Sequence, residues 1–104
     1  MRFFQSNKGM TVPFKVVQGD GTTAKSLTSI TCKLYLKDRD GNAPAGSPIS
    51  GSVTDAANGL VQFVIPASMF ANTGKFKAQI NLTGTDYEED TEWFTIDVDE
   101  RAKP

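Results

Sequence analysis

The sequence predicts an all-β fold: an immunoglobulin-like antiparallel sandwich of about seven strands with no disulfide. Three observations carry that expectation. Apolar and polar residues alternate at period two in several short runs. Clusters of Gly, Asn, Asp and Pro stand between those runs. No apolar period of 3.6 lasts long enough for a helix of ordinary length.

The elements follow in chain order. Residues 2–5 are a candidate short first strand. Residues 11–17 place Val12, Phe14 and Val16 on one face, and Pro13, which has no N–H to donate, marks this as an edge strand. Residues 28–37 are the clearest strand, with Ile30, Cys32, Leu34 and Leu36 inward and Thr31, Lys33, Tyr35 and Lys37 outward. Asp38 to Asn42 is a turn, because Gly41 and Asn42 tolerate positive φ. A weaker strand over 49–54 contributes Ile49 and Val53 to the core. Asn58-Gly59 turns the chain into residues 60–65, which read inward at Val61, Phe63 and Ile65.

Pro66 to Phe70 is the one helix-like stretch, a single turn that drops Phe70 into the core. Residues 75–82 bury Phe76, Ala78, Ile80 and Leu82 opposite Lys75, Lys77, Gln79 and Asn81. After a turn at residues 83–86, residues 92–98 read inward at Phe94, Ile96 and Val98 and outward at Trp93. The strong faces of residues 30–36 and 76–82 are expected to oppose each other across about 10 Å. Phe76 enters where an immunoglobulin-like domain often carries its corner tyrosine, but it has no hydroxyl to bond with, and one cysteine cannot make the inter-sheet disulfide, so the antibody type is excluded.

Composition narrows function by exclusion. The 104 residues fit one domain, expected over 1–100, with 101–104 a polar tail or the start of a linker. No run approaches the roughly 18 apolar residues of a spanning helix, so no membrane partner is expected. Eleven basic residues against twelve acidic ones leave a charge of −1, which gives no general reason to expect nucleic acid. There is no histidine, so no Ser-His-Asp triad, Cys-His dyad or imidazole metal ligand can form within the chain. The single Cys32 permits no internal disulfide and reads as a buried, inert thiol. No serine stands near a base, and no Gly-rich strand-to-helix turn exists to hold phosphate. The expectation is a protein without catalytic residues, without a cofactor and without a bound metal.

Two patterns of acids resemble metal ligands, and neither completes a site. Asp38, Asp40 and Asn42 start like an EF-hand loop, but Ala43 stands where glycine is needed and Ile49 where the bidentate Glu belongs. The acids Asp86, Glu88, Glu89 and Asp90 read as a hydrated hairpin tip. Asn81-Leu82-Thr83 spells a glycosylation sequon, but the apolar run after Met1-Arg2 is too short for an export signal.

Charge is unevenly spread. Residues 1–39 carry seven basic and two acidic groups, whereas residues 84–100 carry eight acidic groups and no basic one. Opposite charges that meet when distant strands pair are one explanation. A dipolar module that docks on a copy or a partner is the other. Trp93 on an outward face, with Tyr35 and Tyr87 and the acids Glu88, Glu89 and Asp90, supplies the candidate interface residues. Two uses fit them, a protein interface or a carbohydrate platform.

The order of features also resembles a known family. SITCKLYLKDRDGN is followed by VTDAANGLVQFVIP, then SMFANTGKFKAQINL and the closing EWFTIDVDE. Over residues 11–100 this is similar to the immunoglobulin-like domain at the N terminus of phage baseplate upper proteins, found in tailed phages and prophages of Gram-positive bacteria. The resemblance implies a non-enzymatic virion part, made in the bacterial host cytoplasm, that ties receptor-binding machinery to the tail. Its implied partners are other tail and baseplate proteins. It implies oligomers in the virion, and a monomer in isolation is compatible with that. It supplies no catalytic residue.

Overall fold

The computed structural model describes residues 1–19 and 21–102. They form nine strands: β1 Arg2–Phe4, β2 Thr11–Lys15, β3 Thr31–Lys37, β4 Ile49–Ser50, β5 Ser52–Asp55, β6 Leu60–Val64, β7 Gly74–Gly84, β8 Tyr87–Asp90 and β9 Phe94–Asp99. The larger sheet runs β1-β9-β7-β3-β4, with β8 also on β7, and the smaller runs β2-β6-β5. This division puts the second, fifth and sixth strands in one layer and the third, seventh and ninth in the other. It is the immunoglobulin-like connectivity, with the first strand lying parallel to the last.

The core lies between the layers. Cys32, Leu34, Leu36, Ala78, Ile80, Leu82, Ile96 and Val98 come from the larger sheet, and Val12, Val61 and Phe63 from the smaller. Loops add Leu27, Ile65, Met69 and Phe70, all fully covered. Phe3 stacks on Phe70 at 4.9 Å between ring centroids, which ties β1 to the 66–70 loop.

Several expectations need correction. The two strong faces do not oppose each other. β3 and β7 are neighbours in one sheet, with Cys32 opposite Leu82, Leu34 opposite Ile80 and Leu36 opposite Ala78. Both faces are apolar because a shared partner, the β2–β6 face, covers them together. Residues 66–70 form a turn and not a helix, closed by Met69 N–H to the Pro66 carbonyl at 3.4 Å, although Phe70 does enter the core. The short helical piece lies elsewhere, a 3-10 helix at Ala56–Asn58 that Asp55 caps. β3 starts at Thr31, and Ile30 is only half-buried.

The expected 49–54 strand is two strands in two different sheets. Gly51 is where the chain crosses between layers: its N–H donates to the Cys32 carbonyl at 2.8 Å. A Cβ there would lie 2.7 Å from Phe63 Cε1 and 2.9 Å from Val61 Cγ2. Only glycine leaves room for that crossing. Val53 turns to the inner side opposite Val61, but it is on an edge strand and stays 36% exposed, so it does not join the buried core. Arg101 and Ala102 extend no strand, and Lys103 and Pro104 lie outside the described residues.

Pro13 does lie on an edge strand, and the ladder explains how it is accommodated. Val16 N–H bonds to the Gly59 carbonyl and Ile65 N–H to the Met10 carbonyl, so even-numbered residues of this strand face β6. The nitrogen of Pro13 therefore points to the free edge, where no ladder bond is lost and strand pairing is discouraged.

Cys32 is a free thiol, 1% exposed, and burial pushes its pKa up. Both states keep the thiol protonated at neutral pH, so it does not influence stability there. Stability falls only as pH rises past the unfolded thiol's value near 8.5, because the folded state resists the charge. An aromatic disulfide reagent is expected to modify native Cys32 at least roughly 100-fold more slowly than the urea-unfolded chain. Equal rates, followed by thiol absorbance, would show that the β3 face is open.

Candidate functional site

The outer face of the larger sheet holds the site. Two features of β8 and β9 create it. Asp90 lies opposite Asn81, and Phe94 lies opposite Ala78. Three residues, Thr91 to Trp93, thus span the space of two on β7, Gln79 and Ile80. This is a bulge, and its extra residue reverses the alternation. Asp90 faces out, so strict alternation would send Trp93 inward; with the bulge, Ile96 and Val98 enter the core and Trp93 faces solvent.

Thr91 makes the bulge affordable in hydrogen bonds. Its N–H donates to the Ile80 carbonyl at 2.9 Å, its Oγ1 accepts from Ile80 N–H at 3.0 Å, and its carbonyl accepts from Gln79 Nε2 at 2.9 Å. No backbone group of Ile80 is left without a partner on that side.

Register then arranges the outer face in rows. One row is Lys33, Asn81 and Asp90. The next is Tyr35, Gln79 and the bulge carrying Trp93. Beyond it come Lys37, Lys77 and Thr95, then Lys75 and Asp97. Trp93 is 50% exposed and Tyr35 42%. Tyr35 on β3 and Trp93 in the bulge lie on opposite sides of β7, about 10 Å apart by ordinary strand spacing.

The six interface candidates divide between two faces. Tyr35, Trp93, Glu88 and Asp90 share the outer one. Asn81 Nδ2 donates to Glu88 Oε2 at 3.1 Å and to Asp90 Oδ1 at 2.8 Å, which fixes those carboxylates at one end of it. Tyr87 and Glu89 point the other way, opposite Gly84 and Leu82. Tyr87 is half-buried against the core. Sequence reasoning placed these acids on a hairpin tip; Glu88, Glu89 and Asp90 instead form strand β8, and only Asp86, at φ 53°, is in the two-residue turn. Acid-rich residues have low strand propensity, so nothing local announced that strand.

Lys25 answers the inward acid. Its Nζ lies 3.5 Å from Glu89 Oε1 and 5.3 Å from the centre of the Tyr87 ring. The Tyr87 hydroxyl first, and the Glu89 carboxylate after it, raise the Lys25 pKa against the pull of desolvation. That hydroxyl is buried and meets no partner at hydrogen-bond geometry, so it acts on Lys25 as a nearby dipole. A second ion pair joins Arg2 Nε to Asp99 Oδ2 at 3.1 Å. Both pairs link the basic first third to the acidic last strands, so cross-strand pairing accounts for part of the charge asymmetry.

Two clefts flank this face. One, of about 390 Å³, runs between β2 and the bulge over Phe14, Ile80 and Phe94, with Glu89 and Glu92 at its rim. The other, of about 600 Å³, lies beside Trp93 and is bordered by Lys37, Arg39, Lys75 and Lys77, with Asp38 as the one acid in its lining. Sequence reasoning found Trp93 but not this cationic surround, because Arg39 and Lys75 join it only through the β3–β7 register. Asp38, once weighed for calcium, is engaged in its own loop: its Oδ1 accepts from Asp40 N–H and Asn42 N–H, both at 2.9 Å.

No protein-family model and no curated protein matches the chain.

Proposed function

We propose that the protein is a non-enzymatic assembly module of a phage tail tip or baseplate, gripped by a neighbouring protein on the outer face of its larger sheet. One observation carries the reading. Trp93 and Tyr35 stand exposed on a bulge-defined face that no element of the chain covers among the described residues. Exposed aromatics of this kind anchor protein interfaces, because they bury much area with few rotatable bonds. The likeness over residues 11–100 to baseplate upper proteins supplies the setting: a part made in the host cytoplasm that acts in the virion beside other tail proteins. Neither a cofactor nor nucleic acid nor a membrane is needed for that role.

The test is the solution mass of the protein, alone and mixed with the tail or baseplate proteins encoded beside it. Trp93→Ala is expected to weaken that association roughly 10-fold or more while changing the unfolding free energy by less than about 0.5 kcal/mol. Equal losses of assembly and folding would make Trp93 a packing residue and overturn the reading.

A carbohydrate platform is the second reading, favoured by the spacing of Tyr35 and Trp93 across Gln79. Tyr87, turned inward, is not available to it. Binding in a glycan screen that disappears in Trp93→Ala would select this reading over assembly.

A further inference from the structure

We propose that the cleft beside Trp93 binds an extended, acidic polypeptide segment of the partner, whose carboxylates sit between Lys37, Arg39, Lys75 and Lys77. The inference rests on the reading of the outer face as an assembly face and names the chemistry of what occupies it.

The first support is an unfavourable pairing inside the sheet. Lys37 and Lys77 are direct cross-strand partners on the same face. Like charges so placed have Cβ atoms only about 5 Å apart and destabilise the sheet. Lys75 lies two residues before Lys77 on the same face of β7, and Arg39 follows β3 in the loop that borders the cleft. Four cations thus converge on one small volume.

The second support is that no carboxylate forms an ion pair with them. Among the described residues the ion pairs are Arg2–Asp99 and Lys25–Glu89, and neither involves the cleft. The third member of the Lys37–Lys77 row is Thr95. Asp38 also lines the cleft, but its Oδ1 is turned to its own loop, where it accepts from Asp40 N–H and Asn42 N–H, and it pairs with none of the four cations. Asp97 is opposite Lys75 in register, but its Oδ1 is buried without a hydrogen-bond partner and forms no ion pair with the lysine. A ligand that brings carboxylates removes the repulsion, so binding and charge relief act together.

Shape selects a polypeptide over a nucleic acid. Trp93 is the one exposed aromatic that lines the cleft, with Tyr35 in the adjoining row, whereas strand-tracking nucleic-acid grooves stack successive bases on several. Acids also bound the cleft along the strands, Asp90 toward one end and Asp97 toward the other. A continuous phosphate backbone would meet both. A short acidic segment fits between them, with its apolar side chains against Trp93.

Trp93 is the single tryptophan of the chain, so its fluorescence reports on the cleft directly. The full chain is titrated with poly-L-glutamate at about 0.1 M salt, where charges more than about 10 Å apart are screened. A saturable change in Trp93 emission is expected. Lys77→Glu should weaken it at least about 10-fold, and Lys15→Glu, on the smaller sheet, by less than about 2-fold. Lys77→Thr should weaken binding and also raise the unfolding temperature by roughly 1–4 °C, because the like-charge pair is gone. Absence of a saturable response, equal sensitivity to the two charge reversals, or a lowered unfolding temperature in Lys77→Thr would each overturn the inference. Tighter binding of an oligothymidylate of matched charge would overturn the polypeptide assignment. If partner proteins associate normally but poly-L-glutamate does not bind, this inference fails alone. If poly-L-glutamate binds while Trp93→Ala leaves association untouched, the assembly reading fails instead.

Discussion

Phe63→Ala is expected to remove about 3–5 kcal/mol of folding free energy, a large share of what a domain of this size has to lose. Phe63 has no exposed surface and lies on β6, the central strand of the smaller sheet. Its ring meets Phe14 edge-on at 5.7 Å between centroids, and its Cε1 lies against the Gly51 backbone where the chain crosses layers. β2 and β5 are held by β6, and Gly51 is held by its bond to Cys32. The cavity should therefore persist, which places the loss toward the upper end of the range. In urea the midpoint is expected to fall by about 2 M with the slope unchanged. A loss below about 1 kcal/mol would mean that the two layers do not meet at Phe63.

The strands were legible where one face is wet and the other dry. Cys32, Leu34 and Leu36 alternate with Thr31, Lys33, Tyr35 and Lys37 because neighbours on a strand experience opposite sides of one sheet, and on β6 Val61 and Phe63 are buried while Leu60 and Val64, though apolar, stay exposed. Sheet membership was not legible. Alternation states which side of a strand is buried, not which strand covers it, and so β3 and β7 looked like opposing layers when they are neighbours. The crossing at Gly51 was hidden for the same reason: Ile49 and Val53 keep a strand-like spacing while the chain passes from one sheet to the other. Glycine there answers a steric contact with Phe63, twelve residues further on, that only the fold creates.

The site divides along the same line. Trp93 was visible as an outward aromatic because the apolar positions Phe94, Ile96 and Val98 set its parity. The bulge that establishes this parity was invisible, since it depends on the register between β7 and two separate return strands. The acids of β8 were read as a tip because runs of Glu and Asp carry little strand propensity. Their strand is imposed from outside, by Asn81 on one face and Lys25 on the other. The cationic cleft is the most non-local feature of all, because its cations come from β3 and the loop after it on one side and from β7 on the other, as the Lys37–Lys77 partners illustrate.

Gly59→Ala should cost about 2–4 kcal/mol, and its consequences should be confined to one side of the sandwich. Two effects add. Gly59 has φ 71°, a left-handed conformation that penalises any Cβ by about 1–2 kcal/mol. The added Cβ would also lie 2.4 Å from the Val16 carbonyl oxygen and 2.9 Å from that of Lys25. Both obstacles are backbone and cannot swing away as side chains do. The Val16 carbonyl accepts from Lys25 N–H at 3.0 Å, and Val16 N–H donates to the Gly59 carbonyl at 2.8 Å. One methyl group therefore wedges apart the three segments that meet there. Lys25 is the residue that reaches Glu89, so displacement should loosen β8 from its inner side. Hydrogen exchange is expected to accelerate at Val16, Lys25 and Glu89. Trp93 belongs to the opposite face, held by Thr91 on β7, and its emission should change little. The neighbouring Asn58→Ala removes only a bond to the Asp55 cap and should lose about 1 kcal/mol or less, without the exchange pattern. If Gly59→Ala were as mild as Asn58→Ala, the close approach of the 56–59 turn to the end of β2 would be wrong, and with it the anchoring of Lys25 beneath the acidic strand.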